Sequence, residues 1–168
     1  EVETANDPNR AFLLKNILSD ETVVSKYDNI FIDCPPSLSL LTIMALVTSK
    51  ELLVPLQTEF FALEGITQLV NTIDRIKINL NPKLQIRGIL LTMFDKRNKL
   101  SSEVDYEARK YFKEKVYKTV IPRNVRLSEA PSHGKPCVIY DKNCSGSRSY
   151  FSLAEEFKTQ DKELRGNV

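Results

Sequence analysis

Three short stretches of this chain carry residues that could do chemistry. The first is Ile30-Phe31-Ile32-Asp33, a hydrophobic run ended by an acid, which has the form of a Walker B element. A buried strand closed in this way holds a carboxylate where it can order Mg²⁺, or a magnesium-bound water, beside a nucleotide phosphate. The same acid could instead cap the turn into Pro35-Pro36. The second stretch is the basic loop Asp95-Lys96-Arg97-Asn98-Lys99, and the third is Pro122-Arg123-Asn124-Val125-Arg126. Both lie in a segment, residues 96–148, that carries thirteen Lys/Arg against six Asp/Glu, a balance of +7 in a chain whose net charge is +2. A basic segment inside a near-neutral protein suits an anionic partner, or else is a solvated basic face.

Other chemistries are excluded by what the sequence lacks. His133 is the single histidine, so there is no His-rich metal site, and a Cys–His dyad would require His133 to meet Cys34. Cys34, Cys137 and Cys144 are odd in number and have no C-x-x-C spacing, so they read as reduced thiols, not a zinc site or a disulfide frame. The five glycines begin at Gly65 and no two are five apart, so the chain contains no G-x-x-x-x-G-K-[ST] phosphate loop. The most apolar stretch, Leu38–Val47, is far short of the ~20 residues that span a bilayer. The acidic start, Glu1-Val2-Glu3-Thr4, is not a secretory signal. With no initiator methionine, the chain reads as a processed product, a cloned piece or a fragment, and a cytoplasmic location is expected.

The elements that must position these residues alternate. At 168 residues, 42% hydrophobic and 27% charged, the chain has the length and balance of one globular domain. Residues 1–8 read as a lead-in. Asn9–Leu18 suits a helix, and Asn29–Ile32 a short buried strand ending at Asp33. Ser37 is placed to cap a helix over Leu38–Ser49. Glu51–Pro55 suits a strand stopped by its proline. Leu63, Ile66, Val70, Ile73 and Leu80 have helical spacing, and Gln85–Met93 suits a third strand. Ser101 or Ser102 is placed to cap a helix running to Lys113. Val116–Ile121 suits a fourth strand, and residues 122–146 a long functional loop with an extended piece at Cys137–Tyr140. The last helix is expected over Ser147–Lys158, with Tyr150, Phe151, Leu153, Ala154 and Phe157 facing inward and residues 159–168 a polar tail. Short strands alternating with helices predict an α/β fold with a mostly parallel sheet flanked by helices. Ligands in such sheets bind beyond the C-terminal strand ends, where Asp33, Met93–Lys99 and Pro122–Arg126 fall.

The stretch Tyr27-Asp28-Asn29-Ile30-Phe31-Ile32-Asp33-Cys34-Pro35-Pro36-Ser37 closely resembles the Walker B region of the ParA/Soj family of deviant-Walker chromosome-partitioning ATPases. Three further stretches agree in order: Phe60–Gly65, Gly88–Asp95 and the long, highly specific run Tyr117–Pro136. The resemblance covers roughly residues 10–158. It implies a P-loop NTPase-like fold, ATP/ADP and Mg²⁺ as cofactors, a nucleotide-dependent homodimer, non-specific DNA binding and hydrolysis stimulated by a ParB-like partition protein, with no membrane partner. Under it, Asp33 is the Walker B acid, acting on magnesium through water. Met93, Pro122 and Asn124 sit where the family walls and reads the adenine base. Arg97 and Arg126 match basic residues used for DNA, with Lys96, Lys99 and Arg123 as supporting charges.

The sequence departs from the family in two places. After Tyr140-Asp141, relatives carry a proline and an Arg-Gly pair, whereas here Ser145 stands where the arginine would be and Arg148 follows later. The family's N-terminal third, with its lysine-rich phosphate loop, has no counterpart in the 168 residues, which therefore read as one partial domain over 9–158. The resulting expectation is that this chain by itself has no ATPase activity. A non-catalytic interaction module that keeps DNA or partner surfaces is the alternative reading.

Overall fold

The computed structural model describes residues 9–35, 37 and 39–166, with side chains up to Lys162. A one-turn 3₁₀ segment, Arg10–Phe12, leads into α1 (Leu13–Leu18), followed by α2 (Glu21–Val24) and α3 (Leu40–Thr48). Then come β1 (Glu51–Gln57), α4 (Ala62–Asn79), β2 (Gln85–Thr92) and α5 (Lys99–Phe112). Two short helices, α6 (Val125–Glu129) and α7 (Cys137–Tyr140), precede the long α8 (Ser145–Gly166). The chain divides into two compact units, residues 1–52 with 68–85, and residues 53–67 with 86–168.

In the first unit, α1 packs against α3. Ala45, Leu46 and Val47 of α3 are buried, as are Ile73, Ile76 and Leu84. A helix leaves its last carbonyls without intrahelical donors. Here buried Asn81 supplies them: its Nδ2 donates to Leu46 O (2.9 Å) and Ser49 O (2.7 Å). The expected strand at Asn29–Ile32 is not formed. The segment is irregular chain, with Ile30 44% and Phe31 74% exposed. Apolar residues make a strand only when a neighbouring strand supplies a hydrogen-bonded ladder, and local propensity does not substitute for that pairing. The start of α3 also differs. Ser39, not Ser37, occupies the cap position, and Thr42 Oγ1 donates to Ser37 O (2.6 Å). The expected helix residue Leu38 lies outside the described residues.

The second unit holds the sheet. β1 and β2 pair, and β2 is joined in parallel by the segment 116–122 through bridges Ile89–Val116 and Phe94–Pro122. β1 runs on past Pro55 to Gln57. Proline is tolerated where its missing N–H faces away from a ladder partner, and Pro55 is exposed. The hydrophobic centre is Leu90, Tyr117 and Ile121, with Leu53, Leu127, Leu153 and Phe157 packed against it. α8 thus covers the sheet with Leu153 and Phe157. Tyr150 and Phe151, expected on the same face, are 40% and 45% exposed, and Ala154 is exposed too. The helix continues beyond Lys158 to Gly166, through the expected polar tail. The close approach of Tyr117 to β2 requires Gly88, because a Cβ there would lie 2.4 Å from the tyrosine ring.

The segment 116–122 is a broken strand for a visible reason. Tyr117 N donates to Ile89 O (2.9 Å) as a parallel ladder requires, but the next acceptor, Leu91 O, is reached by Ile121 N (2.8 Å) and not by Thr119 N. Between them, Lys118 N and Thr119 N turn to the Glu156 carboxylate of α8 instead (2.7 and 2.9 Å). Two other local readings change. Asn98, not Ser101 or Ser102, caps α5 through its side chain on Leu100 N (3.0 Å), which leaves Ser101 to be buried. Cys137–Tyr140 is a helical turn, not extended chain, with Ile139 N and Tyr140 N both donating to Pro136 O.

Burial pushes the Glu156 carboxyl up, but the Lys118 and Thr119 N–H groups hold it below its usual 4.5. Glu156→Ala is expected to lower the unfolding free energy by about 1–2 kcal/mol, the size of two charge-assisted hydrogen bonds discounted for partial exposure. A depressed folded pKa places this contribution fully above pH 4.5 and removes it as pH falls through the lower folded value. Urea unfolding of both proteins at neutral and acidic pH should therefore show the difference closing on acidification; a pH-independent difference would refute it.

Candidate functional site

The ladder that ends at Phe94–Pro122 brings two of the three chemical stretches together. Arg123 N donates to Phe94 O (3.0 Å), so the loop after β2 and the turn after the 116–122 segment leave the sheet side by side. The end of β1 joins them. Buried Thr58 donates its N–H to Thr92 O (3.1 Å), and its Oγ1 lies 3.3 Å from both Thr92 O and Met93 O. Ser101 Oγ donates to Thr58 O (3.3 Å) from α5. These hydroxyls satisfy buried carbonyls where the sheet stops.

Met93 turns the chain out of β2 with φ 56°, a left-handed conformation unusual for a side chain of its size. Such a residue costs about 1 kcal/mol and persists where the surroundings dictate it, often at ligand sites. Met93, Pro122 and Asn124 are all half-buried. Asn124 caps α6: its Oδ1 accepts from Arg126 N (2.8 Å), and its Nδ2 donates to Ser145 Oγ (2.7 Å). Both ends of this amide are engaged inside the protein. Ser145 is the anchor of that cap.

The three predicted arginines are each held by a carboxylate. Arg97 grips Asp95 with two side-chain bonds, Nε to Oδ1 (3.1 Å) and Nη2 to Oδ2 (2.9 Å), and its N–H adds a third (3.0 Å). The Arg97 side chain is nonetheless 89% exposed. Arg123 Nη2 donates to Glu59 Oε1 (2.9 Å), and Arg126 Nη1 to Glu129 Oε2 (2.8 Å), with Asp141 Oδ2 3.6 Å from its Nε. Lys96 and Lys99 are exposed. Bidentate guanidinium–carboxylate geometry is the geometry a phosphate would take, so Arg97 is a fork preset for an oxyanion and held by an internal one, while Arg123 and Arg126 each make a single bond to their glutamate. The Arg126–Glu129 pair follows from helical i,i+3 spacing and the Asp95–Arg97 turn from an Asx motif; Glu59, 64 residues from Arg123, and Ser145 have no local signal.

Asp33 belongs to the first unit, where it is exposed. None of the predicted site residues lines the first unit's groove of about 420 Å³, which Lys50, Lys77, Pro82, Lys83, Leu84 and Gln85 form. Among the described residues no group of three or more His, Cys, Asp or Glu could hold a metal, and no helix is long and apolar enough to cross a membrane.

Residues 1–86 match the family described as AAA domain. The chain is 47% identical over its full 168 residues to the chromosome partitioning protein ParA of Caulobacter vibrioides, of which it spans 63%. It is 53% identical over 156 residues, 93% of the chain, to the sporulation initiation inhibitor protein Soj of Bacillus subtilis, of which it spans 61%. In structure it resembles cobyrinic acid a,c-diamide synthase of Mycobacterium smegmatis, crystallised with an ATP analog and magnesium, at TM-score 0.75 and 28% identity over 92% of this chain and 56% of that one. The chain thus spans less than two thirds of the length of the proteins it matches.

The guanidinium of Arg97, with its backbone N–H, holds the Asp95 carboxyl down at about 2. Arg97→Ala should return the Asp95 titration toward its usual 3.8. A carboxyl-carbon NMR titration reads this directly, and a midpoint left at about 2 would assign the shift to another group.

Proposed function

This chain belongs to the ParA/Soj family of chromosome-partitioning proteins, and on that premise we propose that it is the nucleic-acid-facing and base-facing portion of a partitioning ATPase. The whole protein would bind ATP with Mg²⁺, pair with a second copy, bind DNA without reading its sequence and hydrolyse ATP under stimulation by a ParB-like partner in the bacterial cytoplasm. The observation that carries the reading is the convergence of the loops bearing Arg97 and Arg123, locked side by side by the Phe94–Pro122 pairing.

For DNA, Arg97, Arg123 and Arg126 would exchange carboxylate oxygens for phosphate oxygens, with Lys96 and Lys99 adding charge alongside. Contacts of this kind supply affinity and salt dependence but no base readout. Each exchange leaves Asp95, Glu59 or Glu129 uncompensated near a phosphate, so the internal carboxylates temper the affinity. For the nucleotide, Met93 and Pro122 would form an apolar wall for the adenine ring. Asn124 would fix the 122–126 turn, and base-edge contacts would come from its main chain or from displacing its bond to Ser145. Asp33 would hold a magnesium-bound water through a single exposed carboxylate. That fits the way Mg²⁺ binds, through one or two carboxylates with the remaining positions taken by water and phosphate oxygens. The metal, when bound, neutralises charge developing on the transferred phosphoryl group. The chain's own sequence has no Walker A loop, and the activity proposed is that of the whole protein.

Arg97→Ala with Arg126→Ala, made in the full-length protein, should weaken binding to random DNA and lower the salt slope by about one or two. Asp95→Asn should strengthen the same binding, since it removes the competing anion and keeps the loop's shape. ATP binding should be retained in both; unchanged DNA affinity in the double variant would remove these arginines from the function. The purified 168-residue chain is expected to show no magnesium-dependent ATP turnover, and measurable turnover would overturn that part of the reading.

A further inference from the structure

Cys137 and Cys144, which the sequence separates by seven residues, meet in the fold. Cys137 opens α7, and Cys144 immediately precedes α8. Their sulfurs lie 3.6 Å apart with no bond between them. Ser147, fully buried, organises the pair. Its hydroxyl donates to Asp141 O (2.6 Å) and lies 3.3 Å from Cys137 Sγ, while its N–H donates to Cys144 Sγ (3.3 Å). Cys144 is the N-cap residue of α8: its carbonyl accepts from Arg148 N (3.1 Å), and its sulfur takes the place of the usual capping oxygen. A sulfur at the first turn of a helix has its thiolate stabilised by the N–H groups it faces.

We propose that Cys137 and Cys144 are a redox modification site that closes reversibly to an intramolecular disulfide in response to a hydroperoxide. The sulfurs need approach by only about 1.5 Å to reach the bonded distance of about 2.05 Å. Cys144 is half-buried and reachable, whereas Cys137 is buried, which divides the roles. Burial pushes the Cys144 thiol up, but the Ser147 hydroxyl and N–H bring it below its usual value. Ser147 also lowers Cys137, yet burial and the neighbouring Cys144 and Asp141 carry that thiol up.

The Cys144 thiolate attacks the outer peroxide oxygen. The O–O bond breaks, the alcohol or water leaves, and Cys144 becomes a sulfenic acid. Cys137 then attacks the Cys144 sulfur, the S–O bond breaks, water leaves and the S–S bond forms. Two thiols lose two electrons and two protons, and one hydroperoxide is reduced. The bond spans Asp141, which faces Arg126, and lies beside Ser145, which anchors Asn124, so closure acts on the loop that holds both. Cys34 is exposed and not part of the pair.

The test uses the 168-residue chain carrying Cys34→Ser, treated with hydrogen peroxide, blocked with N-ethylmaleimide, digested with trypsin and mapped by mass spectrometry. The expected result is loss of both maleimide labels, a linkage between the peptides containing Cys137 and Cys144, and full return of both labels after dithiothreitol. In a companion Cys137→Ala variant, Cys144 should stop at the sulfenic acid and be captured by dimedone. Retention of both labels in excess peroxide would overturn the proposal. So would oxidation of Cys144 to a sulfinic acid with Cys137 still alkylated.

Discussion

The arrangement of the basic and base-facing residues depends on one physical constraint: the parallel register between β2 and the segment 116–122. The pairing is held at Ile89–Val116 and again at Phe94–Pro122. Between these contacts the ladder is interrupted and the 116–122 run takes up one residue more than the strand it pairs with, so each contact fixes its own end. A slip by one residue would send Tyr117 away from the cleft left by Gly88 and turn Ile121 out of the core. It would also separate Arg123 from Phe94 O and from Glu59. The core depends on the first contact and the strand-end face on the second.

Much of this was legible in the sequence where periodicity had a long window to act. α4, β2, α5 and the body of α8 fall close to where the spacing of their apolar residues puts them. The α/β class followed from the alternation of short strands with helices. What was not legible has a common cause, competition for hydrogen bonds. Ile30-Phe31-Ile32 has a strand's residues but no ladder. Lys118 and Thr119 belong to a strand-like run but give their N–H groups to a carboxylate nearly forty residues away. Ser101 resembles a cap, yet Asn98 takes that role. Ser101 is drawn instead into the interior by Thr58. Cys137–Tyr140 has β-branched residues, but Pro136 offers its carbonyl to two successive N–H groups and makes a helical turn.

The candidate site shows the same division. Its residue types and approximate neighbourhood were readable, and the comparison with relatives settles the family. Its internal pairing was not. Glu59 reaches Arg123 across 64 residues, and Ser145 reaches Asn124 from the first turn of α8. The effect is a basic face whose arginines are already oriented. An exposed arginine that must be ordered on binding loses side-chain entropy at that moment, whereas a fork held by a carboxylate has lost much of it beforehand. The trade is a competing anion next to each of the three arginines, which favours exchange over permanent capture.

The Glu156 contact has a consequence for how the chain reaches this state. The sheet segment it completes lies nearly forty residues earlier, and the two N–H groups it satisfies are inside the interrupted ladder. During synthesis, β2 and the 116–122 run leave the ribosome well before α8 does. Their pairing stays provisional, with two donors unanswered and the Leu90–Tyr117–Ile121 surface uncovered, until Leu153, Glu156 and Phe157 arrive together. The last helix is thus the closing step of this unit's folding, and a nascent chain stalled before it would present a half-finished sheet to the cell's chaperones.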